Sequence, residues 1–202
     1  SIMYGVNVYQ SRLKMGEYLA NKIMRTIDID MIDMVIPVPD TSKPVALQIS
    51  NILNKPYYEA ITKNRYINRT FIMDSQNKRR KNIKRKLNVV KEIIYKKNIL
   101  IVDDSVVRGN TIKHIIELLK SNNVKNIFVA SSSPEIINTN RYGIDIPDRN
   151  DLICFNKDNP TIEKELGINK IIFQDVDDLK KSIQYFNKCL TDFEMSIYKF
   201  EI

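Results

Sequence analysis

The chain has little of several things, and each scarcity removes a class of function. Among 202 residues there are two cysteines and one histidine. Cys154 and Cys189 lie far apart, without the close spacing that a metal site needs. They read as reduced, packed thiols of a cytoplasmic protein. No apolar stretch is long enough to span a bilayer, and nothing resembling a secretory signal opens the chain. No internal repeat and no low-complexity linker divides it. The length and a hydrophobic content of 43% predict one globular α/β domain over residues 1–202. His114 falls on a helical pattern and reads as a helix-surface residue rather than a general base.

Positive charge is in surplus, and its distribution matters more than its size. The net charge is +8, from 32 Lys and Arg against 24 Asp and Glu. Ten of those bases and one acid, Asp74, lie between Lys63 and Lys86; the remainder holds 22 bases and 23 acids. An evenly basic surface would suggest nucleic acid or a membrane. One basic segment suggests a clamp for a polyanionic small molecule, and disfavours nucleic acid as the partner. A solvated basic helix is the plainer alternative for Lys78 to Lys86.

Apolar residues recur at helical spacing over Val8–Met24, and further helices are predicted over Pro44–Leu53, Thr111–Asn122, Pro160–Gly167 and Val176–Phe186. Short apolar runs predict strands at Asp33–Pro39, Tyr57–Thr62, Ile99–Val102, Asn126–Ala130 and Ile171–Phe173. Strands alternating with helices argue a doubly wound, mostly parallel sheet.

The most informative stretch runs from Ile99 to Thr111. Four aliphatic residues without polar alternation predict a parallel strand buried on both faces. It ends in two adjacent carboxylates, Asp103 and Asp104, at the carboxyl end where such sheets bind ligands. The loop Ser105, Val106, Val107, Arg108, Gly109, Asn110 and Thr111 then opens a helix and can aim backbone N–H groups at an anion. Carboxylates beside an anion cradle suit a sugar phosphate. The bland alternative is a pair of aspartates that merely caps a strand and a helix. A second small polar loop, Asp40, Thr41 and Ser42, follows another short strand; one of these residues could simply cap the next helix.

The run DDSVVRGNT resembles the signature of the type I phosphoribosyltransferases, and its form is similar to that of the amidophosphoribosyltransferase family. Lys63-Asn64-Arg65-Tyr66, Arg69-Thr70-Phe71-Ile72, Arg79-Arg80 and Lys86-Leu87-Asn88 match that family's flexible loop. Tyr142-Gly143-Ile144-Asp145-Ile146-Pro147 and Ile171-Ile172-Phe173-Gln174-Asp175 follow its pattern too. Asn110 stands where the family usually has Thr, and Asn68 where many members have Gly.

The resemblance implies the type I phosphoribosyltransferase fold, with a small hood and a flexible basic loop over residues 63–86. It implies transfer of ammonia to C1 of phosphoribosyl pyrophosphate (PRPP), releasing pyrophosphate, as the first step of purine synthesis. It implies catalytic roles for Asp103, Asp104, Lys63, Arg65 and Arg69, 5-phosphate binding by Ser105 to Thr111, and pyrophosphate binding by Asp40, Thr41 and Ser42. Mg2+ would be held by Ser42, Asp103 and Asp104. Two cysteines cannot supply the four ligands of the iron–sulfur cluster some relatives carry, so none is expected. The family's N-terminal glutaminase domain has no counterpart here, so a separate glutaminase domain or subunit is implied and no glutaminase activity is expected of this chain. Homo-oligomers and inhibition by purine nucleotides also follow from the resemblance. A PRPP-responsive DNA-binding regulator, or an inactive partner subunit, is the alternative reading.

Overall fold

A computed structural model of the chain describes residues 1–63, 87–140 and 148–198. A short antiparallel hairpin, β1 (Ile2–Met3) with β2 (Val6–Asn7), leads into helix α1 (Val8–Thr26). Asn7 caps that helix, its side-chain oxygen accepting from the amides of Tyr9 and Gln10. Strand β3 (Met34–Pro37) and helix α2 (Lys43–Leu53) follow. A second hairpin pairs β4 (Ile61–Lys63) with β5 (Leu87–Val89), and a single helical turn, α3 (Lys91–Ile94), comes next. The chain then alternates through β6 (Asn98–Asp103), α4 (Asn110–Lys120), β7 (Asn126–Ser131), α5 (Asn159–Leu166), β8 (Lys170–Phe173) and α6 (Val176–Gln184).

β3, β6, β7 and β8 lie side by side in that order, all parallel. On the outer side of β3, Tyr57 makes a parallel bridge to Val35. There the Val35 amide donates to Pro56 O at 2.9 Å, and the Tyr58 amide to Val35 O at 3.1 Å. The chain therefore leaves β3 in one direction and returns to β6 on its other side. Strand order reverses between β3 and β6, and such a reversal opens a crevice at the strands' carboxyl ends.

β6 shows why its run is uniformly apolar. Ile99 and Ile101 face one layer, with Ile112, Ile115 and Ile116 of α4 and Ile162 of α5. Leu100 and Val102 face the other, with Leu19 and Ile23 of α1 and Val45 and Ile49 of α2. All four strand residues are fully buried. Gly16 lets α1 approach α2, because a Cβ there would lie 2.8 Å from Val45 O. Leu100→Ala is expected to cost about 2–5 kcal/mol, read as a lower urea midpoint with an unchanged slope.

The five predicted helices are found within two residues at each end. The predicted strand Tyr57–Thr62 is not continuous. Only Tyr57 bridges to β3, and the chain pairs again as β4 from Ile61, in a different sheet. Cys154 is packed as expected, but Cys189 is exposed. It follows α6 in a polar segment, between Lys188 and Leu190, that has no apolar face to bury. At the sheet's carboxyl ends Ile136 and Leu152 pack with Val107, Phe155, Ile197 and Tyr198 in a small third cluster. Among the described residues no helix is long and apolar enough to cross a membrane.

Candidate active site

The two loops singled out in the sequence meet where the strand order reverses. Pro37, the last residue of β3, is in register with Val102, one residue before the end of β6. The Val38 amide continues the ladder by donating to Val102 O at 2.8 Å. Beyond it the Thr41 hydroxyl donates to the Asp104 carboxylate, tying the loop after β3 to the loop after β6. Ser42 is fully buried, and its hydroxyl donates back to Val38 O, closing the first loop on itself. Ser42 stands at the N-cap position of α2 but makes no side-chain cap bond, so capping does not explain its hydroxyl. Asp40 is exposed, with Oδ1 3.8 Å from Lys43 Nζ, and the Pro39–Asp40 peptide is cis.

The two aspartates differ in environment. Asp103 is 6% exposed and Asp104 lies at the surface. Burial, and then the neighbouring Asp104 carboxylate, push Asp103 up to about 7; one hydrogen bond from the Asp104 amide, 2.9 Å from Oδ1, opposes this. A buried, reluctantly ionised acid beside an exposed acid gains when a cation or sugar hydroxyls arrive. Among the described residues no group of three or more His, Cys, Asp or Glu could hold a metal ion alone. Mg2+ needs no such group, because it is commonly held by one or two carboxylates together with substrate phosphates. The donor set here fits that pattern.

The loop after the aspartates is anchored by its apolar members. Val106 is buried in the main core and Val107 packs in the small cluster, while Arg108, Asn110 and Thr111 are exposed and Ser105 is half-buried. Gly109 takes a left-handed conformation, φ 75°, at the N-cap of α4, and as a glycine it offers that helix no side-chain cap. A helix N-terminus without a capping side chain is suited to an anion. Gly109, not Asp103 or Asp104, therefore occupies the N-cap position of α4.

Three residues escaped the sequence reading. Ser131, Ser132 and Ser133, all buried, line up at the carboxyl end of β7. The Ser132 amide donates to Asp103 O at 3.0 Å, its hydroxyl to Asp104 O at 3.2 Å, and the Ser131 hydroxyl to Ser133 O at 2.8 Å. Ser132 thus holds the main chain of the aspartate pair from the neighbouring strand. The signal was a serine run closing an apolar strand.

Lys63 ends β4, exposed, and among the described residues makes no ion pair with Asp103 or Asp104. Arg65, Arg69 and the rest of the basic segment, like Tyr142 to Pro147, lie outside the described residues. His114 lies on α4 as expected but is not a surface residue: its side chain is 12% exposed, its Nε2 is buried, and its Nδ1 lies 4.0 Å from Glu117.

A model of the phosphoribosyl transferase domain matches residues 7–168. Amidophosphoribosyltransferase of Pasteurella multocida (strain Pm70) is 46% identical over 199 residues, covering 98% of this chain and 40% of that protein. The one from Methanocaldococcus jannaschii is 35% identical over 190 residues, covering 94% and 39%. The solved structure of glutamine PRPP amidotransferase from B. subtilis, complexed with ADP and GMP, superposes with a TM-score of 0.77 at 33% identity, covering 91% of this chain and 39% of that one. The chain thus spans about 40% of the length of the curated relatives it matches. With a joined pair of loops at the sheet's switch point and a family match over most of its length, the chain belongs to the phosphoribosyl transferase domain family.

Proposed function

We propose that this chain is the phosphoribosyl-transferring part of an amidophosphoribosyltransferase, moving ammonia onto C1 of PRPP with release of pyrophosphate to give 5-phosphoribosylamine. One observation carries the reading: the Thr41 hydroxyl reaches the Asp104 carboxylate, so the Asp40–Ser42 loop and the loop after β6 lie against each other, as one ligand spanning both would require. The 46% identity to an amidophosphoribosyltransferase supports the choice of acceptor.

The chemistry asks little of proton transfer. Nitrogen attacks the anomeric carbon as the C–O bond to pyrophosphate breaks, through a transition state with oxocarbenium character. Orientation and electrostatic stabilisation then supply the rate. Asp103 and Asp104 hold the ribose hydroxyls, and Ser132 fixes their main chain. The residues from Ser105 to Thr111, with the first amides of α4, hold the 5-phosphate. Asp40, Thr41 and Ser42 shape the seat of the pyrophosphate; Lys63, Arg65 and Arg69 offset its charge. Asp103, Asp104 and Ser42 would hold Mg2+, which when bound would neutralise charge on the leaving group. Ammonia comes from glutamine through a glutaminase domain or subunit. Cytoplasmic placement, a homo-oligomer and inhibition by purine nucleotides belong to the same proposal.

The test is pyrophosphate release from PRPP and Mg2+ with and without ammonium chloride, alongside binding of duplex DNA at varied salt. Ammonia-dependent release and no salt-steep DNA binding are expected. DNA binding without turnover would favour a regulator, and neither activity would favour an inactive subunit.

A further inference from the structure

A short turn far along the chain presses on the sugar-phosphate loop from behind. Ile153 is 3% exposed and belongs to the same core cluster as Val106, Ile112 and Ile116. Its amide donates to Val107 O at 2.9 Å. Its Cδ1 occupies the space above Gly109, where a Cβ would come within 2.5 Å of it. Two residues earlier, Asp151 Oδ2 lies 3.7 Å from Arg108 Nε. Three consecutive loop residues, 107 to 109, are thus each met by this turn, and none of these contacts reaches Asp103, Asp104 or the Asp40–Ser42 loop.

We infer that the turn Asp151–Ile153 is a positioning element for the sugar-phosphate loop, with Ile153 as its principal side chain. The inference rests on reading Ser105–Thr111 as the 5-phosphate site. An anion cradle made of backbone amides works only when those amides already converge, because a loose loop must first be ordered at the ligand's expense. The Arg108–Asp151 pair is exposed and contributes little by itself. The buried Ile153, touching the loop at both its carbonyl and its glycine, carries the effect. It acts through the loop and touches no substrate.

The test compares ribose 5-phosphate with inorganic pyrophosphate, each titrated calorimetrically with Mg2+ present, on the wild-type chain and on Ile153→Ala and Ile153→Val. Ile153→Ala is expected to weaken ribose 5-phosphate binding on the order of tenfold to a hundredfold. Ile153→Val, which removes only Cδ1, should give a smaller loss in the same direction. Pyrophosphate binding should be unchanged in both, and KM for PRPP should rise more than kcat falls. Equal losses for both ligands, or no loss for ribose 5-phosphate, would overturn the inference. Should the alanine variant fail to fold, the valine variant decides by the same criterion. A wild-type chain that binds neither ligand would instead overturn the reading of the site, and this inference with it.

Discussion

Asp103→Asn is expected to yield a folded protein that is more stable than the wild type above neutral pH and nearly inactive. Asn is isosteric and keeps an acceptor for the Asp104 amide, so the turn at the end of β6 survives. Turnover should fall on the order of a hundredfold to a thousandfold, as when one preorganised electrostatic contact is lost. Asp103→Asn with Asp104→Asn should nearly abolish it. The gain in stability follows from the titration of Asp103. The folded carboxyl titrates at about 7, against 3.8 unperturbed. Between these values the folded state binds more protons than the unfolded one, so stability falls as pH rises. The favourable contribution is complete below the unfolded value and gone once pH passes the folded value. Asn carries no such penalty. Asp103→Asn should therefore exceed the wild type by on the order of 4 kcal/mol at pH 8, and the gap should close toward pH 4. Urea denaturation at the two pH values checks this. A gap that grows on acidification would reverse the assigned direction.

Gly109→Val should be the most damaging single change in the sugar-phosphate loop. At φ 75° a β-branched residue is strained wherever it points, and its Cβ would collide with Ile153 Cδ1. Relief requires the loop to move at the N-terminus of α4, where the 5-phosphate amides lie. PRPP affinity should drop on the order of a hundredfold, while stability falls by about 1–3 kcal/mol. Calorimetry and urea titration separate the two effects. Unchanged PRPP affinity in a folded Gly109→Val would mean that this loop does not hold the phosphate.

How much of this was legible in the sequence depends on whether a feature is local. The run Ile99–Val102 announced a strand buried on both faces, and the helices of its two layers took their predicted places because each has a periodic apolar stripe. The aspartate pair and the Asp40–Ser42 loop were legible for the same reason: each sits at the end of an apolar run. The hairpin β1–β2 was missed although its turn signal was present. Tyr4 and Gly5 both have positive φ, 50° and 76°, but strands of two residues have no readable period. The strand predicted over Tyr57–Thr62 broke because its two ends pair with different sheets, a tertiary decision that propensity does not encode.

Contacts between distant segments were illegible in principle. Nothing local says that Ser132 supports the main chain of Asp103, that Thr41 reaches Asp104, or that Ile153 lies on Gly109. Each depends on which strands become neighbours. Geometry also bears on the helix-capping alternatives left open for Ser42 and for the aspartates. Ser42 turns its hydroxyl to Val38 O, and Gly109 holds the cap of α4.

A crystal structure of the chain grown with Mg2+ and PRPP bears most directly on the pairing of the two loops around one ligand. Density for the pyrophosphate against Asp40, Thr41 and Ser42, for the ribose hydroxyls against Asp103 and Asp104, and for the 5-phosphate against Ser105 to Thr111 is the predicted result. PRPP bound elsewhere, or bound to one loop while both aspartates face away from the sugar, would contradict it.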